Sequence, residues 1–418
     1  MLRRSVVRQP LEELEFALHR FFINAILAID IVFASRFYRI IGDFMQPVLL
    51  GSAAVIFSFY AVYTLARGRL LPAVAGSLFV CMVLTQIDVF STRAAVPFNP
   101  NVFFQFMWLL AFIPFYAWTL MGELPYLMKR VALFSTAYCA VYLLLSLGHL
   151  VGAIPYSLVS PIVSTDSERG SRIFLYLSTA SIAYFYWLSK FKYDRSNSSY
   201  VLFWISALAI TVSLSRVYIL IVLCLTVLFY LDIHAKTISR ICRITFVVVT
   251  AYIISGLVIP SFNPFIAFAS DTSGAYRAYE YVVVRREVLN SPIWGFGVPP
   301  DTKLTRPFLG EQDIFPSDLG ALGTWFDLGL AGFLLYLFVI WRCSKPSFFL
   351  QRRHGWPLFL SGCMLTAYGG ISPLAMSAPG GATLTALIFG VGAGGALRYG
   401  GIKSRRNPKI RDHCEGEV

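Results

Sequence analysis

FMQPVLLGSAAVIFSFYAVYTLA, residues 44–66, runs for 23 positions without an Asp, Glu, Lys or Arg. A bilayer core of about 30 Å needs roughly 20 apolar residues wound as a helix. Such a helix satisfies its own backbone hydrogen bonds, which lipid cannot do. This stretch therefore predicts a membrane-crossing helix. Working outward, comparable apolar runs occupy residues 21–38, 70–90, 102–121, 131–151, 172–189, 199–213, 215–232, 244–261, 319–341, 356–375 and 380–398. The first is interrupted by Asp30, and 199–213 and 215–232 are short segments joined by a tight hairpin around Ser213 to Arg216. The expected fold class is an all-α polytopic membrane protein with about twelve transmembrane helices, forming one integral membrane domain over 1–418.

Composition agrees. The 418 residues are 57% hydrophobic and only 14% charged, with a mean hydropathy of +0.67, whereas soluble chains carry about 25% charged residues. Apolar content this high, with ordinary Gly, Pro and Cys, excludes disordered, collagen-like and disulfide-stapled secreted classes. The seven cysteines include no Cys-x-x-Cys pair and most fall in or beside apolar runs, where a free thiol behaves as a small hydrophobe. Arg3, Arg4 and Arg8 precede Leu11 to Leu18 without an Ala-x-Ala cleavage pattern, so the first span is expected to stay as an anchor.

The net charge of +13 reports orientation before it reports any nucleic-acid partner, because basic residues flank the cytoplasmic ends of membrane spans. With both termini cytoplasmic, twelve spans put 24 of the 35 Lys and Arg inside. The same topology places the one long loop, 262–318, on the outer (periplasmic) face with short helices in it, and makes 403–418 a cytoplasmic tail. Arg277, Arg285, Arg286, Lys303 and Arg306 stand in that loop against the sign rule. Cations kept on the disfavoured side point to an anionic ligand.

Arg216 stands in Ser215-Arg216-Val217 at the outer end of a span, where a guanidinium either snorkels to the interface or offers a planar fork to phosphate. From Ala275 to Leu289 the pattern suits an amphipathic helix capped by the turn Asp271 to Gly274, with Tyr281, Val284 and Val288 on one side. Arg277, Tyr281 and Arg285 are spaced by four and share a row that can face one polyanion, with Arg286 beside it. Pairing of these arginines with Glu280, Glu287 or Asp271 on a solvated helix is the competing reading.

Beyond it, Asn290-Ser291-Pro292 ends the helix and Gly295-x-Gly297 relaxes the backbone, while Trp294 and Phe296 offer rings to a sugar or to an interfacial belt. Asp318 precedes the next span either as a helix cap or as a carboxylate able to take a proton from a hydroxyl. Asp327 lies within that span and needs a partner or a wet cavity. The five His are scattered, so no metal site is expected. The glycines at 390, 392, 394 and 395 read as close helix packing.

Three pieces taken together, Ser215-Arg216, then Arg277 followed by Asn290-Ser291-Pro292 and Gly295-x-Gly297, then Leu328-Gly329-Leu330-Ala331-Gly332, resemble the O-antigen ligase and polymerase superfamily of bacterial envelope glycosyltransferases. The resemblance covers roughly residues 200–340. Ligases of that family carry a His-Asn pair eleven residues before the glycine helix, where this chain has Asp318-Leu319. The departure leans toward polymerases of O-antigen or exopolysaccharide.

The resemblance implies a multi-pass protein of the bacterial inner membrane, transferring a glycan from undecaprenyl pyrophosphate to a hydroxyl of another lipid-linked repeat unit without a cofactor. Its implied partners are the polyprenyl-pyrophosphate-linked oligosaccharide, membrane lipids, a chain-length regulator and a flippase. Arg216 and Arg277 are then expected on the pyrophosphate and Asp318 on the attacking hydroxyl. Arg285, Arg286, Tyr281 and Trp294 are expected to contact substrate. An O-antigen ligase, a lipid-linked oligosaccharide transporter and a non-catalytic membrane partner remain as alternatives.

Overall fold

The computed structural model describes residues 3–405 apart from 43, 167–169, 174–175, 214, 260, 271, 311–313, 346–354, 373–374 and 377–379. Helices of ten or more residues among them are α1 (Arg3–Ala34), α2 (Met45–Ala66), α3 (Leu70–Ala94), α4 (Phe112–Met121), α5 (Leu124–Leu150), α6 (Leu177–Asp194) and α7 (Asn197–Val212). They continue with α8 (Arg216–Tyr230), α9 (Ala235–Val258), α10 (Thr272–Asn290), α11 (Ala321–Cys343), α12 (Trp356–Tyr368) and α13 (Gly381–Arg405). Every one of the twelve apolar runs overlaps one of these helices, and α10 is the additional helix of the long loop. The described exception to helix is an antiparallel hairpin, β1 (Val163–Asp166) with β2 (Gly170–Ile173), in which Val163 faces Ile173. It moves the start of the sixth run from 172 to Leu177.

Seven helices, α1, α2, α3, α5, α9, α11 and α13, are long and apolar enough to cross a membrane. Met107–Met121, α7 and α8 are apolar but shorter. The chain is thus a polytopic helical membrane protein, with seven clear spans among the described residues. Physical reasons separate the rest. Helix α6 has 18 residues and ends in Lys190, Lys192 and Asp194, which shortens its uncharged stretch, and α12 has only 13 residues, buried along most of its length. A helix apolar on all sides belongs inside a bundle.

The core is built by close helix contacts. Helix α13 lies along α4, where a Cβ at Gly390 would come within 2.7 Å of Phe112 O and one at Gly394 within 2.8 Å of Tyr116 O. Small residues let the two backbones touch, the usual means of holding helices together in lipid. Asp30 of α1 is buried in this region and accepts a hydrogen bond from Thr383 Oγ1 of α13 at 2.5 Å. The four cysteines 139, 242, 343 and 363 are buried free thiols, as expected of small hydrophobes. A separate apolar cluster, including Phe265, Tyr281, Val284, Val288, Phe296, Leu319 and Phe326, fastens the long-loop helix α10 to the ends of α9 and α11. This cluster positions the site.

Candidate functional site

Helix α10 is oriented by one apolar face. Tyr281, Val284 and Val288 are buried as the spacing predicts, and Tyr281 donates its hydroxyl to Ile253 O of α9 at 2.7 Å. Burial pushes the phenol up to about 12, against the opposing effect of Arg285, so it remains a neutral donor. Tyr281 is therefore a packing residue that pins α10 to α9, and its expected place on the substrate is corrected. The helix repeat explains the difference: the row of residues 277, 281 and 285 borders the buried face, and the ring in its middle is drawn under. The expected cap at Asp271 lies outside the described residues.

After α10 ends at Asn290, the chain crosses α11 where α11 is broken. Gly329 has φ 64° and ψ −169° inside that helix, and a broken helix leaves amides and carbonyls without partners. The crossing segment supplies them. Leu330 N donates to Ile293 O at 3.0 Å, Phe296 N donates to Phe326 O at 2.7 Å, and the Trp325 indole donates to Pro292 O at 2.7 Å. A Cβ at Gly295 would lie 2.5 Å from Phe326 O, and one at Gly329 would lie 2.4 Å from Ile293 O. Both positions also have positive φ, 70° and 64°, so each requires glycine on two counts. Two separate glycine motifs of the sequence thus form one contact.

The same segment reaches α3. Val298 N donates to Gln86 O at 3.1 Å. The Phe296 ring stacks on Phe326 at 4.8 Å and carries the Arg93 guanidinium at 4.9 Å. Arg93 lies 3.8 Å from Glu287 of α10, and Glu287 also accepts from Arg286 Nε at 2.9 Å. Arg286 in addition donates to Phe308 O at 3.2 Å. Phe296 is buried in this stack while Trp294 stays 55% exposed, so of the two rings only Trp294 is open to a sugar.

Asp318 belongs to the 3-10 turn Pro316–Leu319, and the following helix α11 starts from Gly320 without a side-chain cap. The capping role expected as one alternative for Asp318 is absent. Its Oδ2 instead stands 3.8 Å from Arg277 Nε, with 44% of the aspartate and 36% of the arginine side chain exposed. At that distance the pair is an ion pair without a hydrogen bond, and Arg277 Nε is itself buried without a hydrogen-bond partner. The protein packed around its inner side pushes the Asp318 carboxyl above the ordinary range, and Arg277 opposes the shift.

Glu280, less than a turn along α10 from Arg277, is fully buried. Its Oε1 accepts the Phe315 backbone N–H at 2.6 Å, while Oε2 is buried without a partner. This bond ties the segment leading into Asp318 to the helix that carries Arg277. Burial pushes Glu280 up to about 8, with the Asp318 charge adding to the rise and the Phe315 bond and Arg277 opposing it. The group is therefore neutral at pH 7 when folded and ionised when unfolded. Between about pH 4.5 and about 8 the folded state holds more protons than the unfolded one, so stability falls as pH rises through that window. Glu280→Gln keeps the Phe315 acceptor and removes the ionisation. It is expected to flatten the decline, which thermal melts of the detergent-solubilised protein at pH 5 and pH 8.5 would check; parallel declines in both proteins would contradict the assignment.

Arg216, the first residue of α8, is exposed, and among the described residues it makes no ion pair with Asp318 or Glu280. Arg285 is half-buried and already engaged by a neighbour. Asp327 is half-buried two residues before the break in α11. Of the expected residues, the fold brings Arg277 and Asp318 together directly. Sequence reasoning missed the roles of Glu280 and Arg93. Glu280 read as a solvated pairing partner, since its spacing from Arg277 carries no sign of burial, and Arg93 lay some 200 residues away. Among the described residues, no group of three His, Cys, Asp or Glu is arranged to hold a metal ion.

No curated protein and no solved structure gives a match to the chain. Residues 201–337, about a third of the chain, match the family model of the O-antigen ligases. That interval runs from α7 to near the end of α11 and contains Arg216, Arg277, Glu280, Asp318 and both halves of the glycine contact. Over that interval the chain is similar to the O-antigen ligase family.

Proposed function

We propose that the protein polymerises lipid-linked oligosaccharide repeat units into O-antigen or exopolysaccharide, at the outer face of a bacterial inner membrane. The observation that carries this reading is the Arg277–Asp318 pair, 3.8 Å apart, partly open to solvent and set by the buried Glu280. A cation and a carboxylate held close but not hydrogen-bonded can part around a substrate that needs both.

In the proposed reaction an acceptor hydroxyl attacks the anomeric carbon of the donor glycan. The hydroxyl proton passes to Asp318 as the new C–O bond forms. The bond from the anomeric carbon to the pyrophosphate oxygen breaks, and undecaprenyl pyrophosphate leaves with its negative charge stabilised by Arg277, with Arg216 as a second donor. Arg285 and Arg286 flank the site, Trp294 offers a stacking face to the sugar, and Glu280 positions Asp318 through Phe315. The proposed topology has twelve crossings, 262–318 outside and both termini cytoplasmic, with a flippase and a chain-length regulator as partners. It rests on the charge bias and on the packing of shorter helices against long ones, as α4 packs on α13 and α7 on α5.

Ligation of finished glycan to an acceptor such as lipid A core is the second reading, favoured by the name of the matched family. A sizing gel of envelope and lipid-linked glycans from a deletion strain separates the two. Single capped repeat units, extended only when the wild-type gene is returned, are the expected result. Full-length chains stranded on the carrier lipid would replace polymerase by ligase, and repeat units trapped on the cytoplasmic side would replace both by a transporter.

A further inference from the structure

At the end of α9 remote from Ile253 and the Arg277–Asp318 site, a groove of about 500 Å³ opens on the side of the bundle. Its polar end is formed by Lys236, Ser239, Arg240 and Arg243, and no carboxylate is among its lining residues. Two polar atoms of that lining are buried and unpaired. Ser239, 2% exposed, has no partner for its Oγ, and Arg243 has none for one Nη. Arg243 is nevertheless fixed, because its Nε donates to Ser344 Oγ at 3.2 Å and its guanidinium lies over the Trp341 ring at 4.7 Å.

The groove changes character along its length. Ile244, Val247 and Val248 continue it, and they are 56%, 49% and 60% exposed. Positions 236, 240, 243, 244, 247 and 248 share one face of α9. That face begins as a cluster of cations and continues as bare aliphatic surface on a membrane-spanning helix, with the half-exposed Trp341 beside it. An indole at such a boundary is typical of the membrane interface.

We infer that this groove binds an anionic phospholipid. The phosphate sits among Lys236, Arg240 and Arg243, where it gives Ser239 Oγ and the unpaired Arg243 Nη their missing partners, and an acyl chain lies along Ile244, Val247 and Val248. Three cations with no carboxylate among the described lining residues select a net negative headgroup over a zwitterionic one. The apolar continuation distinguishes a lipid from a free phosphate, which would leave that surface unused. The inference is independent of the glycan chemistry, since it uses the opposite end of α9.

Native mass spectrometry of the full chain in detergent, titrated with dioleoylphosphatidylglycerol or dioleoylphosphatidylcholine, tests it. The expected result is about tenfold tighter binding of the phosphatidylglycerol, and loss of most of that preference in Lys236→Gln/Arg240→Gln. Both side chains are exposed, so the variant leaves the packing intact, and thermal melts confirm its folding. The two single variants, each expected to lose part of the preference, serve if the double variant expresses poorly. Equal binding of the two lipids, or an unchanged preference in the variants, would overturn the inference. Displacement of bound phosphatidylglycerol by millimolar inorganic phosphate would overturn it in favour of a free-anion site.

Discussion

Arg277→Ala is expected to lower glycan extension by about 10²–10³-fold, the usual consequence of removing one charged donor from a developing negative charge. Chain length on the sizing gel reads the effect, and membrane abundance and melting temperature of the variant are expected to stay near wild type. Stability is spared because Arg277 is partly exposed and makes no hydrogen bond to Asp318, and exposed ion pairs contribute about 0–1 kcal/mol. Arg277→Lys keeps the charge but loses the planar fork, so intermediate activity is expected. Wild-type chain length from Arg277→Ala would remove Arg277 from the site.

Asp318→Asn is the second large effect, with an expected loss of about 10²–10⁴-fold if the carboxylate takes the hydroxyl proton. The pH profile separates this role from a structural one. A raised pKa means that Asp318 takes up its proton at a higher pH than an ordinary aspartate, and the protonated form cannot act as a base. Wild-type activity is therefore expected to fall on the acid side, with a limb that the Asn variant lacks. Because Arg277 holds the Asp318 pKa down, the residual activity of Arg277→Ala is expected to show the acid limb displaced toward higher pH. Extension assays in proteoliposomes between pH 4.5 and 8 measure all three. An unchanged acid limb in Asp318→Asn would assign the proton transfer elsewhere.

Both effects concern groups whose identity the amino-acid sequence already displays. An arginine and an aspartate beside apolar spans are costly to keep, so a cation-rich stretch between apolar runs stands out without any structure. The helical class is legible for the same reason: long uncharged runs have few other ways to satisfy their backbones in lipid. The buried stripe Tyr281, Val284 and Val288 likewise follows from the period of 3.6 residues, as do the boundaries of α10 to within a few positions. Crossing number is less legible, since apolar content cannot tell a helix that faces lipid from one such as α12 that is enclosed by neighbours.

What the sequence by itself determined is therefore the helical membrane class, the amphipathic loop helix and the charged residues worth suspecting, because these depend on local composition and periodicity. Only the tertiary structure decided which of them meet. It set Arg277 against Asp318, some 40 residues on, buried Glu280 behind them, withdrew Tyr281 into the packing and joined Gly295 to the break at Gly329. Those outcomes depend on how α10, α9 and α11 are packed together, and a contact between distant segments leaves no periodic trace in either one.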